Sequence, residues 1–163
     1  MKEFPEGYRK NVAVIVRDPS NGKLLFCRRC ESDNWQFPQG GIDAGESHIK
    51  AAYRELYEEV GIKKNQVKVI QKSKHWYHYD LPEKYQPRPK SLKNFKGQIQ
   101  KWYMFKADAE LEINLLNEMP QEFVEYKWST YWHSLASVVP FKRDVYRRVL
   151  SEFLPKYIQL HND

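Results

Sequence analysis

The pattern of hydrophobic and polar positions begins with two short apolar runs. The runs at 11–17 (NVAVIVR) and 23–29 (KLLFCRR) are rich in β-branched and aliphatic residues, which predicts two strands. Between them, the segment DPSNG at 18–22 carries Asp-Pro and Asn-Gly turn signals, so we expect the strands to form a hairpin. The segment WQFPQGGIDAGE at 35–46 combines several glycines with a proline and has no periodicity, which predicts an irregular loop.

A helical pattern replaces the strand pattern at 47–60. Its apolar residues recur at spacings of three and four and form one stripe: Ile49, Ala52, Tyr53, Leu56 and Val60. Gly61 follows directly, and glycine is typical of the position just beyond a helix C-terminus. At about 100° per residue, three glutamates (Glu55, Glu58 and Glu59) fall together on one face beside the apolar stripe.

The remainder of the chain predicts more strands and a final helix. Four strand-like runs follow, at 66–70, 74–81, 98–107 and 125–129, and the second either continues the first or forms its own strand. The segment 82–97 has three prolines and no periodicity, which predicts a long loop. Apolar residues at helical spacing over 142–154 predict a C-terminal helix that ends at Pro155. This order of elements predicts an α+β fold with a mixed sheet flanked by helices.

Length and composition are those of a single globular domain that covers residues 1–163. Hydrophobic residues are 41% and charged residues 29% of the chain, and no apolar run approaches the ~20 residues of a membrane span. The first residues, MKEFPEGYRK, have no apolar core of a secretory signal, and two cysteines make no disulfide framework. We therefore expect a cytoplasmic protein without a membrane partner.

The three glutamates of the helix stand out because the chain has a net charge of +6. Carboxylates three and four residues apart repel each other, and the only lysine or arginine at such a spacing after them is Lys63, which lies beyond Gly61. One interpretation is a solvated helix face. The other is a bound divalent cation, and hard oxygen ligands select Mg²⁺ or Mn²⁺. The glycine-rich segment before the helix leaves room for a backbone carbonyl or a phosphate near such a cation.

The segment from glycine-rich loop to helix end resembles the sequence motif of a known enzyme family. GGIDAGESHIKAAYRELYEEVGI matches the Nudix box at every specified position: Gly40, Glu46, Arg54, Glu55, Leu56, Glu58, Glu59, Gly61 and Ile62. The resemblance implies the Nudix α/β/α sandwich and hydrolysis of a nucleoside diphosphate linked to another group. It also implies that Glu55, Glu58 and Glu59 bind metal close to Gly40, that Arg54 orients them, and that Glu46 joins the loop to the helix.

Four further stretches resemble one Nudix subgroup, the RNA 5′-pyrophosphohydrolases and related dinucleoside polyphosphate hydrolases. They are GYRKNVAVIV at 7–16, NWQFPQGGI at 34–42, QKWYMF at 100–105 and VVPFKRDVYRRVL at 138–150. The resemblance implies removal of pyrophosphate from the 5′-triphosphate end of RNA, which leaves a 5′-monophosphate. Many members also split diadenosine tetraphosphate asymmetrically, so the dinucleotide reaction stays an alternative. A catalytically silent RNA-binding module is a third hypothesis, and the complete motif argues against it.

The same resemblance assigns residues outside the box to the substrate. Arg9, Arg29 and Lys142 are similar to phosphate or 5′-nucleotide contacts, and Tyr79 and Phe141 to neighbours of a base or ribose. Each has a plainer interpretation, since the cations also fit an ordinary charged surface and the rings also fit a hydrophobic core.

One more acidic residue is assigned by the resemblance. Glu122, in QEFVEYKW, matches a metal ligand or general base contributed by a loop outside the box, with Glu125 as its rival. Glu58 and Glu122 are the two candidates for the general base, and the sequence does not choose between them.

Two basic segments favour RNA over a small dinucleotide. The predicted loop at 82–97 carries Lys84, Arg88, Lys90, Lys93 and Lys96 against one acidic residue, Glu83. The final helix adds Lys142, Arg143, Arg147 and Arg148. An RNA substrate gives these cations phosphates to contact beyond the 5′ end, which a small dinucleotide does not. The alternative interpretation is a loop that only keeps the protein soluble, since such a loop has the same composition.

Overall fold

The computed structural model describes residues 4–83 and 92–161. Its eight strands are β1 (Tyr8–Arg17), β2 (Leu24–Arg29), β3 (Trp35–Gln36), β4 (Gln39–Gly41), β5 (Val67–Lys72), β6 (Tyr77–Asp80), β7 (Gly97–Ala107) and β8 (Phe123–Ser129). Its helices are α1 (His48–Val60), α2 (Ser134–Ser137) and α3 (Arg143–His161), with 3-10 turns at Lys64–Gln66 and Pro140–Lys142. Within the described ranges, no helix has the length and apolar character needed to cross a membrane.

One mixed sheet contains all of the described strands. Its main order is β3-β2-β1-β7-β5, and β4, β6 and β8 pair with β1, β7 and β2 respectively. β1 and β7 run parallel along the whole of β1, from the pair Tyr8–Gly97 to the pair Arg17–Lys106, and every other pairing is antiparallel. The prediction of a mixed sheet flanked by helices is confirmed.

Side chains of β1 alternate between two hydrophobic cores, as the period of a strand requires. Val12 and Val14 belong to the core that includes Leu56 of α1. Ala13 belongs to the other core, which includes Phe153 of α3. The sheet is therefore covered by α1 on one face and by α3 on the other, as in the predicted sandwich.

The helix that carries the glutamates has a defined start and end. The hydroxyl of Ser47 accepts a hydrogen bond from the backbone N–H of Lys50, so Ser47 caps the helix instead of belonging to it. Gly61 has a positive φ of 73° and donates its N–H to the carbonyl of Tyr57, which ends the helix as predicted.

Strand pairing differs from two local predictions. β1 and β2 pair only at Arg17 and Leu24, because the facing edges of the two strands pair with other segments beyond that point: β4 pairs with β1, and β3 pairs with β2. The predicted loop at 35–46 contains the short strands β3 and β4, in which Gly40 lies opposite Val12 of β1. Strands of two or three residues show no alternation, so the sequence pattern missed them. The run at 74–81 forms a separate strand, β6.

The prediction that the last helix ends at Pro155 is wrong, because α3 continues to His161. Proline inside a helix loses one backbone hydrogen bond, but contacts beyond it hold the last turns. The ring of Tyr157 lies 4.3 Å from that of Tyr131, and its hydroxyl donates to the carbonyl of Gly22 at 2.8 Å. Of the basic loop at 82–97, Lys84, Arg88 and Lys90 lie outside the described residues.

Candidate active site

Arg54 joins the glycine-rich loop to the acidic face of α1. Its guanidinium donates to both oxygens of Glu46 at 2.8 and 2.9 Å and to the carbonyl of Gly41 at 2.8 Å. It also donates to Glu55 at 2.8 Å and to Glu58 at 3.1 Å. The hydrogen bonds from Arg54 lower the pKa of Glu46 to about 2, so Glu46 is ionised at neutral pH. This geometry suits the orienting and bridging roles predicted for Arg54 and Glu46.

The three glutamates of α1 lie at different depths. Glu55 and Glu59 are 7% and 5% exposed, whereas the side chain of Glu58 is 34% exposed. Burial raises the pKa of Glu59 well above its usual range, and the charges of Glu55, Glu122 and Glu118 act in the same direction. Among the described atoms, Oε2 of Glu59 is buried and has no hydrogen-bond partner. Such a carboxylate is costly unless a proton or a cation compensates it.

A cavity of about 290 Å³ opens beside these carboxylates. Its walls comprise Arg9, Asn11, Arg29, Gln36, Gln39, Gly40, Glu55, Glu59, Leu92, Gln98, Glu118 and Glu122. Two glycines permit the close packing at its edge, since a Cβ on Gly40 would lie 2.1 Å from Cδ of Glu55. A Cβ on Gly41 would lie 2.0 Å from the guanidinium of Arg9. The cavity thus contains carboxylates for cations and guanidinium groups for phosphates.

The donor atoms of this site fit a hard divalent cation but do not form a preassembled cage. In the described part of the chain, no three Asp, Glu, His or Cys side chains stand close enough together to hold one metal ion. Arg54 occupies oxygens of Glu55 and Glu58, and Arg29 lies 3.3 Å from Glu122. Oxygen ligands of this kind, together with the unpartnered buried carboxylate oxygen, suit Mg²⁺ or Mn²⁺.

Glu122 and its rival Glu125 differ in position. Glu122 lines the cavity, and its backbone carbonyl accepts from the N–H of Cys30 at 2.9 Å. Glu125 instead pairs with Arg28 at 3.0 Å, and its side chain is 54% exposed. The geometry therefore favours Glu122 as the acidic residue contributed from outside the Nudix box.

The predicted substrate residues occupy two positions relative to the cavity. Arg9 and Arg29 line the cavity directly. Lys142 is buried, and its ammonium donates to the side-chain oxygens of two wall residues, Gln36 at 3.1 Å and Gln39 at 3.5 Å. Burial lowers the pKa of Lys142 to about 7, and the nearby charge of Arg29 acts in the same direction. Lys142 thus lies behind the cavity wall.

Tyr79 and Phe141 are also behind the cavity wall, and neither lines the cavity. Tyr79 is 5% exposed and packs in the α3-side core, with the ring of Phe141 5.7 Å from its own. Its hydroxyl accepts from the side-chain amides of Gln98 at 2.9 Å and Gln39 at 3.3 Å. The plainer interpretation, core packing, therefore describes the Tyr79 ring, while its hydroxyl supports two wall residues.

A buried network of side-chain amides forms part of the wall, and the motif did not reveal it. The Asn11 amide donates to Gln98 at 2.7 Å. Gln100 donates to Asn11 at 2.9 Å and to Gln39 at 3.1 Å, and it accepts from the Trp102 indole at 3.1 Å. A signal exists in the sequence, because GQIQKW puts two glutamines and a tryptophan on the same face of a strand. Polar residues at alternate positions of a buried strand indicate a polar site within the core.

The comparison with family models identifies the class of protein. A NUDIX domain model matches residues 7–153, so the chain belongs to the Nudix family. It is 43% identical to the RNA pyrophosphohydrolases of Vibrio cholerae and Pseudoalteromonas translucida, over 91% and 92% of this chain and 86% and 87% of those proteins. It is 41% identical to the RNA pyrophosphohydrolase of Aliivibrio fischeri, over 91% of this chain and 86% of that protein.

Solved structures agree on the fold. The E. coli dihydroneopterin triphosphate pyrophosphohydrolase superposes with a TM-score of 0.66 at 19% identity, covering 90% of this chain and 99% of that one. A C. elegans Ap4A hydrolase superposes with a TM-score of 0.65 at 21% identity, covering 90% and 98%. Both therefore share the Nudix sandwich with this chain.

Proposed function

We propose that this protein is an RNA 5′-pyrophosphohydrolase that converts 5′-triphosphate RNA into 5′-monophosphate RNA and pyrophosphate. The observation that carries the proposal is the cavity in which Glu55, Glu59 and Glu122 meet Arg9 and Arg29. Relatives that are 41% to 43% identical over most of their length and named RNA pyrophosphohydrolases support the choice of substrate.

The carboxylates of the site have the role of holding divalent cations in the proposed reaction. The side chains of Glu55, Glu58, Glu59 and Glu122, with the backbone near Gly40, would hold Mg²⁺, or Mn²⁺ in its place. When bound, such cations neutralise phosphate charge and lower the pKa of a coordinated water. Arg54 keeps the glutamates oriented through the hydrogen bonds described above.

The basic and amide residues of the site bind the substrate. Arg9 and Arg29 bind the polyphosphate by charge-assisted hydrogen bonds. The buried ammonium of Lys142 adds positive charge behind Gln36 and Gln39. Phe141, which packs against the core beside Tyr79, remains a proposed neighbour of the first nucleotide.

The reaction breaks one phosphoanhydride bond. A water attacks a phosphorus of the 5′-triphosphate, the bond to pyrophosphate breaks, and a carboxylate takes the proton of the water. Glu58 and Glu122 both remain candidates for that base. Glu122 already lines the cavity, whereas Glu58 is held by Arg54.

We further propose that the reaction takes place in the cytoplasm, where a 5′-monophosphate would mark RNA for decay. Two free cysteines, Cys27 buried and Cys30 exposed, are compatible with a reducing compartment.

A second candidate is asymmetric hydrolysis of dinucleoside polyphosphates. The same cavity favours it, because its arginines and carboxylates suit any polyphosphate. Turnover of 5′-triphosphate RNA and of diadenosine tetraphosphate at equal concentration with Mg²⁺ separates the two. We expect the RNA to be preferred, and a strong preference for the dinucleotide would overturn the first proposal.

Product analysis tests the bond that is broken. RNA labelled at the γ-phosphate should release labelled pyrophosphate in a single step and leave 5′-monophosphate RNA. Release of labelled orthophosphate, followed by a second phosphate, would contradict the proposed bond choice.

A further inference from the structure

A surface of aromatic rings and lysines lies at the start of β1, outside the cavity of the proposed active site. Its rings come from three distant parts of the chain, and all of them are accessible to solvent at least in part: Phe4, Tyr8, His48, Trp76 and His78. The rings of Phe4 and His48 lie 5.0 and 4.8 Å from that of Trp76. The ring of Tyr8 lies 5.0 Å from that of His78. We call these rings and the lysines beside them the aromatic–lysine surface.

Two of the lysines lie over the faces of these rings. The ammonium of Lys10 is 4.9 Å from the centre of the Phe4 ring. The ammonium of Lys101 is 5.8 Å from the centre of the Trp76 ring. A ring face attracts a cation because its π electrons carry negative charge. Aromatic faces and positive charge are therefore interleaved on this surface.

The charge balance of the surface is positive. Burial and the charges of Lys101, Lys10 and Lys72 all lower the pKa of His48, so three cations act at one point of the surface. Asp80 brings a carboxylate, which accepts a hydrogen bond from the hydroxyl of a surface tyrosine. Three positive charges outweigh that carboxylate, and such an excess favours a polyanion.

The aromatic–lysine surface continues into a cleft between β6 and α3. This cleft has a volume of about 450 Å³, and its lining includes the four successive ring side chains at 75–78 (HWYH) and Arg148 of α3. Of the residues that the structure describes, none lines both this cleft and the active-site cavity. Rings beside cations are the elements that bind single-stranded nucleic acid, because bases stack on rings and cations bind phosphates.

The first residues of β1 connect this surface to the proposed active site. Arg9 lines the active-site cavity, and its neighbours Tyr8 and Lys10 belong to the aromatic–lysine surface. Consecutive side chains of a strand point to opposite faces of a sheet and follow each other at about 3.3 Å. An RNA whose 5′ end lies at Arg9 therefore reaches the surface by passing the N-terminal end of β1.

We propose that the aromatic–lysine surface and its cleft bind the single-stranded body of the RNA substrate, downstream of the 5′ end. Bases stack on Trp76 and the neighbouring rings, and Lys10 and Lys72 bind backbone phosphates. This inference rests on the proposed function, because it names a second contact region for the same RNA. A dinucleoside polyphosphate has no such body, so the surface favours RNA as the substrate.

RNA binding without hydrolysis tests the proposal. Fluorescence anisotropy in the absence of divalent cations gives the Kd of a 5′-monophosphate dinucleotide and of a 5′-monophosphate RNA of about ten nucleotides. Wild type should bind the longer RNA ~10-fold or more tightly, since only the longer RNA reaches the surface. Trp76→Ala and the double variant Lys10→Gln/Lys72→Gln should each lose most of this gain. In the double variant, the slope of log Kd against log salt should also decrease by ~0.7 for each lost phosphate contact.

Two substitutions outside the surface are matched controls for the lost ring and the lost charge. Trp132 is 42% exposed and Lys23 is exposed, and neither lines the cleft or the active-site cavity. Trp132→Ala and Lys23→Gln should therefore retain the full gain in affinity for the longer RNA.

The proposal is overturned if wild type binds both RNAs equally, or if a folded variant of the surface retains the whole gain. Thermal melting verifies folding. If Trp76→Ala does not fold, the double variant, which removes no ring from the packing, decides alone. The proposed function is measured separately, by pyrophosphate release from a triphosphate dinucleotide, and the surface variants should leave that rate unchanged.

Discussion

Buried polar groups are satisfied in different ways at the acidic face of α1 and in the amide wall of the cavity. The amide wall comprises Asn11, Gln39, Gln98 and Gln100. The guanidinium of Arg54 pairs with carboxylates, and all of these hydrogen-bond acceptors lie in one stretch of chain between Gly41 and Glu58. In the wall, neutral amides from β1, β4 and β7 satisfy one another, and Gln39 also accepts from the buried ammonium of Lys142. The first region suits cations and bond cleavage, and the second suits recognition of the substrate.

The largest effect is expected where the acidic region is altered. Glu58→Gln removes a charge from the proposed cation site and should lower the rate by ~100-fold or more, while RNA binding is largely retained. Single-turnover hydrolysis and filter binding of triphosphate RNA measure the two quantities. Glu125→Gln is the matched control, since Glu125 pairs with Arg28 outside the cavity. Equal rates for Glu58→Gln and wild type would remove the proposed site.

Substitutions in the amide wall should lower the free energy of unfolding. Gln100→Leu removes one hydrogen-bond partner from each of three buried groups: the side-chain oxygens of Asn11 and Gln39 and the indole N–H of Trp102. Each unsatisfied buried group costs about 1–3 kcal/mol, so we expect a loss of at least about 2 kcal/mol in the free energy of unfolding. Urea denaturation measures it. A loss below about 0.5 kcal/mol would show that the network contributes little.

Lys142 should affect both substrate binding and the pH dependence of stability. Lys142→Met removes a buried charge and should raise KM for triphosphate RNA by ~10-fold.

The pKa of Lys142 is about 7 in the folded state and 10.5 in the unfolded state. The folded state therefore binds fewer protons between these values, and stability relative to Lys142→Met should rise as pH increases from about 7 towards 10.5. A pH-independent difference in urea denaturation would contradict the shifted pKa.

The smallest effect concerns the link between loop and helix. Glu46→Gln weakens the contact with Arg54 and should destabilise the fold by about 1–2 kcal/mol at neutral pH. Because the pKa of Glu46 falls from 4.5 to about 2 on folding, this contribution is present above pH 4.5. It should disappear as the pH decreases from 4.5 towards 2. Urea titrations at several pH values compare the variant with wild type.

The two regions also differ in how far sequence alone predicted them. The helix, its end at Gly61 and the face shared by Glu55, Glu58 and Glu59 follow from helical periodicity, which is a local property. The amide wall depends on the parallel pairing of β1 with β7, which joins Asn11 to Gln100 across most of the chain. No local pattern contains that register.

Other differences have similar physical causes. β3 and β4 are too short to show alternation, and the helix runs through Pro155 because tertiary contacts of Tyr157 outweigh the lost hydrogen bond. Glu118 belongs to no motif, and it lines the cavity because tertiary contacts, such as the hydrogen bond from Asn117 to the carbonyl of Tyr57, position its segment.

One paired measurement tests the division between the two regions most directly. The single-turnover rate and the Kd for triphosphate RNA are measured for Glu58→Gln and for Arg9→Met, which removes a guanidinium from the cavity. We predict that Glu58→Gln loses ~100-fold in rate with little change in Kd, and that Arg9→Met raises Kd by ~10-fold or more. If Glu58→Gln lost RNA binding as severely as rate, while Arg9→Met bound RNA like wild type, the proposed division would be wrong.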